Sequence, residues 1–186
     1  MYDTRQFKKG LKIEIDGVPY QVIDFQHVSP GKGSAFTRTK LKNLLTQGAL
    51  EKTFKSHEKI AKANTFQKKM QYLYKDSEGY HFMDISSYEQ IALQEDLLGS
   101  KVGFLMENMV TQILFFNDNP IDVELPNSVE LTVVETEPAF KGDTVSGGKP
   151  AVMNTGVTVT VPFHIKEGDK IKVDTRDSSY CEKVSK

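Results

Sequence analysis

Leu11-Lys12-Ile13-Glu14-Ile15-Asp16-Gly17-Val18-Pro19-Tyr20-Gln21-Val22 is the stretch that decides the fold class. Leu11, Ile13 and Ile15 alternate with Lys12 and Glu14, the period-2 pattern of a strand buried on one face. Asp16-Gly17 follows. Both residue types tolerate positive φ, so a two-residue hairpin turn is expected there. Tyr20 and Val22 then resume the alternation.

The same grammar continues along the chain. After a loop at residues 30–33, residues 35–41 read as a return strand, and Leu50, Lys52 and Phe54 suggest another. A second group opens near Phe66. Met70, Tyr72 and Tyr74 alternate, Asp76-Ser77-Glu78-Gly79 turns, and Tyr80 and Phe82 lead back. Residues 96–105 suit a short helix weakened by Gly99 and Gly103. Residues 110–116 form an apolar strand, Asn117-Asp118-Asn119-Pro120 is a turn cluster, and Ile121, Val123 and Leu125 alternate beyond it. A third group follows Pro126-Asn127. Val129, Leu131 and Val133 alternate, residues 141–149 read as a mobile Gly/Ser-rich loop, and Val157, Val159 and Val161 alternate up to Pro162. Glu167-Gly168-Asp169 turns into Ile171 and Val173. Many short strands at about ten-residue spacing predict small barrels or sandwiches. Three groups of about 60 residues predict three consecutive small β-barrels in an all-β chain, each near the size limit for independent stability.

The 186 residues are 38% hydrophobic and 26% charged, which fits a folded, soluble protein. No stretch approaches the roughly 18 apolar residues of a membrane helix. The first residues lack a secretory h-region. The single cysteine, Cys181, has no internal partner and reads as an inert thiol in a reducing cytoplasm. The net charge of −1 hides an asymmetry. Residues 1–63 carry twelve Lys/Arg against six Asp/Glu, residues 64–126 four against ten, and residues 127–186 eight against nine. A basic first third suits a polyanionic partner.

Ser29-Pro30-Gly31-Lys32-Gly33-Ser34 carries the most chemistry. It fails as a phosphate loop, because Gln26 stands at the first glycine position and Gly33 at the Ser/Thr position. No helical pattern follows to supply amide donors. As a turn it is well made, with Pro30 fixing φ and two glycines permitting positive φ. A turn does not need a lysine between two glycines, however. Flanking glycines strip cover from Lys32, and function concentrates on loops. From the residues alone, a plain turn and a functional tip both stand. Arg38, Lys40 and Lys42 share one strand face and read either as solvated surface or as phosphate contacts. His27, His57, His81 and His164 lack metal-ligand spacing, so no metal site is expected. No nucleophilic triad is evident. Gly142-Asp143-Thr144-Val145-Ser146-Gly147-Gly148-Lys149 reads by composition as a flexible connector.

Pro30-Gly31-Lys32-Gly33 with Ala35-Phe36, Glu51-Lys52-Thr53-Phe54-Lys55, Tyr72-Leu73-Tyr74-Lys75-Asp76, Phe82-Met83-Asp84 and Tyr88-Glu89-Gln90 follow one another in the chain. Lys149, Ala151, Gly156, Val159, Val161-Pro162, Ile165, Gly168 and Ile171-Lys172-Val173-Asp174-Thr175-Arg176 complete the series. In this order they resemble the bacterial elongation factor P family over the whole chain. The resemblance implies an N-terminal KOW/SH3-like barrel over residues 1–63, a middle OB-fold over 64–127 and a C-terminal OB-fold over 128–186, in an L-shaped, tRNA-like arrangement.

It further implies a monomeric, cytoplasmic, non-enzymatic translation elongation factor without a cofactor. Such a factor binds the 70S ribosome between the P and E sites and promotes peptide bond formation at consecutive prolines. Lys32, with Pro30, Gly31 and Gly33, matches the modification loop that reaches the CCA end of P-site peptidyl-tRNA. A lysine-modifying enzyme acting on Lys32, by lysylation or a hydroxylated extension, is implied as a second partner. Gly142, Asp143, Thr144, Gly147 and Gly148 match the loop that approaches the E-site codon, against their bland compositional reading. Arg38, Lys40 and Lys42 are expected on tRNA phosphates. Two other classes compete with this reading. A general single-strand binder would use Tyr72, Tyr74 and Phe82 as stacking platforms, which the acidic middle third opposes. A small hydrolase has no motif asking for it.

Overall fold

The computed structural model describes residues 1–138 and 147–185. It divides into two compact units, Met1–Lys68 with Ile113–Asp122, and Lys69–Gln112 with Val123–Lys186.

The first sheet grows from the opening hairpin. Asp16 and Gly17 both take positive φ, 51° and 77°, and close strand β2 (Lys12–Ile15) onto β3 (Val18–Val28). Strands β4 (Phe36–Asn43), β5 (Ala49–Lys55), β6 (Lys59–Lys62) and the short β1 (Tyr2–Asp3) complete six strands in the order β1-β6-β2-β3-β4-β5. The alternating residues of the opening stretch become the core. Ile13, Val22 and Leu41 are fully buried, joined by Phe7, Leu11, Phe54 and Ile60. Asp3 ties the chain start to the end of β5. It caps the 3-10 turn Thr4–Gln6, and the Arg5 side chain and N–H bonded to its carboxylate hold its pKa down to about 2. The N–H of His57 donates to Thr4 Oγ1 at 3.2 Å.

β3 is not regular. Val22 pairs with Leu41 but Asp24 pairs with Lys40, so Ile23 is an extra residue, a β-bulge. Ile23 is left 46% exposed. The bulge also reverses the face parity. Asp24, which shares Val22's inward parity in the sequence, turns outward instead.

The second sheet has the order β11-β10-β7-β8-β9. It uses β7 (Thr65–Asp76), β8 (Gly79–Asp84), β9 (Gln90–Leu93), β10 (Val110–Phe116) and β11 (Asn119–Glu124). The weak helical signal resolves into one turn of helix, α1 (Glu95–Leu98), and a 3-10 segment, Gly99–Phe104. Asn117 and Asp118 alone form the β10–β11 turn, at φ 47° and 65°. Asn119 and Pro120, expected in the turn, begin β11 instead. A proline fits there because β11 is an edge strand, where its missing N–H breaks no ladder. A second bulge, between Tyr72 and Tyr74, sends Tyr74 to the surface at 50% exposure while Tyr72 and Phe82 are buried.

The third sheet has the order β14-β13-β12-β15-β16. Its strands are β12 (Ser128–Thr136), β13 (Lys149–Met153), β14 (Thr158–Val161), β15 (Lys170–Asp174) and β16 (Tyr180–Lys183). Val129, Leu131, Val133, Val159, Val161, Ile171 and Val173 fill its interior as their alternation requires. Val157 precedes β14 and is half-buried. Lys149, read from composition as loop, is a buried strand residue whose Nζ donates to the Glu137 carbonyl at 2.5 Å. Most of the expected mobile segment, residues 139–146, lies outside the described residues. Among the described residues no helix is long and apolar enough to cross a membrane.

Candidate functional site

β3 and β4 run on as a paired ribbon past Val22 and Leu41. The last fully buried pair is Val22 with Leu41, and pairing continues to Val28 with Phe36. Six residues at about 3.4 Å each make an arm of about 20 Å. β5 supports it on one side through Lys55 opposite Phe36 and Phe54 opposite Thr37. On the inner face polar groups join the buried Phe54 of β5. His27 Nδ1 and Thr37 Oγ1 are hydrogen-bonded at 2.8 Å, and Thr39 Oγ1 donates to the Lys52 carbonyl at 2.6 Å. Phe25 packs edge-on against the His27 ring at 5.3 Å. At the arm's end the Ser56 N–H donates to the Ala35 carbonyl at 3.0 Å.

Residues 29–34 cross the tip, all exposed. A Cβ built on Gly31 would meet nothing within 4 Å, and one on Gly33 meets only Pro30 Cγ at 3.9 Å. Lys32 therefore projects without side-chain cover. The two glycines are not equivalent. Gly33 holds φ at +104°, whereas Gly31 is absent from the positive-φ set. A left-handed residue with a Cβ costs about 1–2 kcal/mol. Gly33→Ala is thus expected to lose about 1 kcal/mol in urea unfolding, and Gly31→Ala to be neutral. Equal unfolding midpoints for the two variants would deny Gly33 its conformational role.

Arg38 and Lys40 are exposed and Lys42 half-exposed, and they alternate with buried Thr37, Thr39 and Leu41. The expected shared face is therefore present. Their neighbours differ. Arg38 lies between Gln26 and Thr53, Lys40 between Asp24 and Glu51, and Lys42 between Gln21 and Ala49. Asp24 also pairs with Lys9 at 3.4 Å. Its carboxyl titrates below the ordinary range, first through the Phe25 N–H, then through Lys9, with Lys40 adding to the effect.

Of the second candidate loop, Gly142, Asp143 and Thr144 lie outside the described residues. Gly148 has a packing reason to be glycine. Its φ is +75°, and a Cβ would sit 2.3 Å from the Val161 carbonyl oxygen. Gly147 and Gly148 edge an open groove of about 770 Å³ that also takes in Phe163 and Tyr180.

Sequence spacing missed one cluster. The hairpin of β7 and β8 brings Asp76, Glu78 and His81 together, with their ligating atoms within 4.8 Å. His81 Nε2 already bonds Asp76 Oδ1 at 2.7 Å, and the Tyr74 ring stacks on the imidazole at 4.6 Å. The Asp76 carboxyl is held down chiefly by that His81 bond. These contacts account for the cluster as a braced hairpin end. The aromatic platform of a single-strand binder is not assembled, since Tyr72 and Phe82 belong to the core.

Solved structures share this architecture. The eukaryotic-type translation initiation factor 5A from Methanococcus jannaschii superposes with a TM-score of 0.55 at 21% identity, over 66% of this chain and 92% of its own. A translation initiation factor 5A family protein from Naegleria fowleri gives 0.54 at 14% identity, over 67% and 96%. By fold, then, the chain is a β-barrel protein of the kind these two structures represent. Three family models match in sequence. They are the elongation factor P KOW-like domain at residues 3–60, its OB domain at 66–123 and its C-terminal domain at 129–183. Elongation factor P from Bdellovibrio bacteriovorus is 52% identical over all of this chain and 99% of its own length. That from Pelotomaculum thermopropionicum is 50% identical over 99% and 100%. This chain belongs to the elongation factor P family, a family of translation elongation factors rather than enzymes.

Proposed function

We propose that the protein binds the 70S ribosome in the cytoplasm, between the P and E sites, and promotes peptide bond formation at consecutive prolines. The observation that carries the reading is the arm. A ribbon of β3 and β4, backed by β5 and its buried Phe54, extends about 20 Å past Val22 and Leu41 and ends in one uncovered lysine between two glycines. A narrow, rigid probe of this kind suits a crowded catalytic centre better than it suits a binding pocket of its own.

The chemistry asked of the factor is positioning. Proline's ring restricts its backbone, and two prolines misplace the peptidyl ester relative to the attacking amine. Orientation of reactants is worth up to about 7–11 kcal/mol. Lys32, as a cationic side chain, would brace the CCA end of peptidyl-tRNA while the ribosome performs the reaction. Its exposure also leaves it open to a lysine-modifying enzyme, and an added group would lengthen its reach. Residues 1–63, 64–127 and 128–186 would serve as tRNA-facing, middle and mRNA-facing modules. The segment from Gly142 to Gly148 would approach the E-site codon. The test is translation of a Pro-Pro-Pro template with and without the full-length protein. The reading expects faster synthesis there and no change on a proline-free template. Equal rates with and without the protein on both templates would end it.

A further inference from the structure

Spacing alone makes Arg38, Lys40 and Lys42 three equal cations, but the sheet makes them unequal. Residues directly opposite on neighbouring strands lie about 4.5–5.5 Å apart and interact as pairs. Lys40 has a carboxylate on both sides, Asp24 on β3 and Glu51 on β5. With Lys9 bonded to Asp24, that rung holds two cations and two anions and is locally neutral. Arg38 has uncharged neighbours, Gln26 and Thr53, and its guanidinium lies 6.0 Å from the Phe36 ring centroid, which steadies it. Lys55, opposite Phe36, adds a cation at the same end. At the other end Lys12 and Lys42 flank Gln21. Charge along this face thus runs positive, neutral, positive. Arg38 and Lys42 are four residues apart on one strand, or about 13–14 Å.

We propose that this face grips the phosphodiester backbone of RNA at two separate stations, Arg38 with Lys55 and Lys42 with Lys12. Asp24 and Glu51 cancel Lys40 between them, so the middle rung takes no phosphate. The inference rests on the reading that the arm lies beside tRNA. The carboxylates then act as specificity elements. A backbone that presents a phosphate to the middle rung meets Asp24 and Glu51, while one that bridges the rung meets two cationic ends. The β3 bulge makes this arrangement, because without it Asp24 would keep the inward parity of Val22.

Salt dependence of binding separates the cations. Each phosphate contact adds about 0.7–0.9 to the slope of log affinity against log salt, and losing one lowers the slope by about one. Full-length protein would be titrated onto ribosomes carrying P-site peptidyl-tRNA. Arg38→Gln and Lys42→Gln should each lower the slope by about one. Lys40→Gln should leave it unchanged, and Glu51→Gln should raise it by releasing Lys40. A slope loss in Lys40→Gln equal to that in Arg38→Gln, or an unchanged slope in Glu51→Gln, overturns the proposal. Both outcomes are read in variants with the wild-type melting temperature. Wild-type protein that does not bind these ribosomes at all would instead remove the parent reading.

Discussion

Lys32→Ala is expected to bring synthesis through three consecutive prolines close to the rate without the factor. The substitution leaves the fold intact, because Lys32 is exposed and the arm is held by Val22, Leu41 and Phe54 along its length rather than by its tip residues. Under the proposed function, what is lost is the contact that would orient the peptidyl end. If that contact supplies about 2–3 kcal/mol, a fraction of what orientation can give, the rate falls about 30- to 150-fold. Lys32→Arg keeps the charge but not the shape of an ammonium, so it should recover part of the rate. The control is a proline-free template, where all variants should match. Full relief of stalling by Lys32→Ala would show that the arm acts through its backbone or its barrel, not its lysine.

The second large effect lies beneath the arm. Phe54 is 2% exposed and meets Phe7 edge to face, with ring centroids 5.5 Å apart and planes at 89°. It sits on β5 opposite Thr37, one rung before the last pair of β3 and β4, and so carries the core out along the ribbon. Phe54→Ala removes a ring from a packed site and should cost about 3–5 kcal/mol. A barrel of about 60 residues has little stability to spare, so the first unit should be largely unfolded at 37 °C. Leu50→Ala on the same strand, at 39% exposure, should cost far less. Urea unfolding followed by near-ultraviolet dichroism compares the two, and a loss below about 1 kcal/mol for Phe54→Ala would show that the arm is not anchored there.

The contrast between these residues shows what could be read in advance. Phe54 and Lys32 were both visible in the sequence, one as the apolar position of an alternating strand, the other as a lysine stripped of neighbours. Local rules suffice for such features, because a strand's period and a turn's φ requirement act over a few residues. Asp16-Gly17 and Asn117-Asp118 behaved as those rules demand. Lys149 and Pro120 did not, because their environment is set by strands that the local window does not contain. The Asp76–His81 pair joins residues across a hairpin and has no spacing signature.

The amino-acid sequence by itself determined the all-β class, the lysine-tipped loop, the basic first third and, through full-length resemblance, the family. Those properties reside in composition, short-range periodicity and motif order. Tertiary structure alone decided which cations on β4 have carboxylates for neighbours. A single inserted residue at Ile23 reverses the parity of everything beyond it on β3, and only the pairing of β3, β4 and β5 sets Asp24 and Glu51 beside Lys40. Electrostatic identity belongs to neighbours across strands, and those neighbours are fixed by register, which no residue encodes on its own.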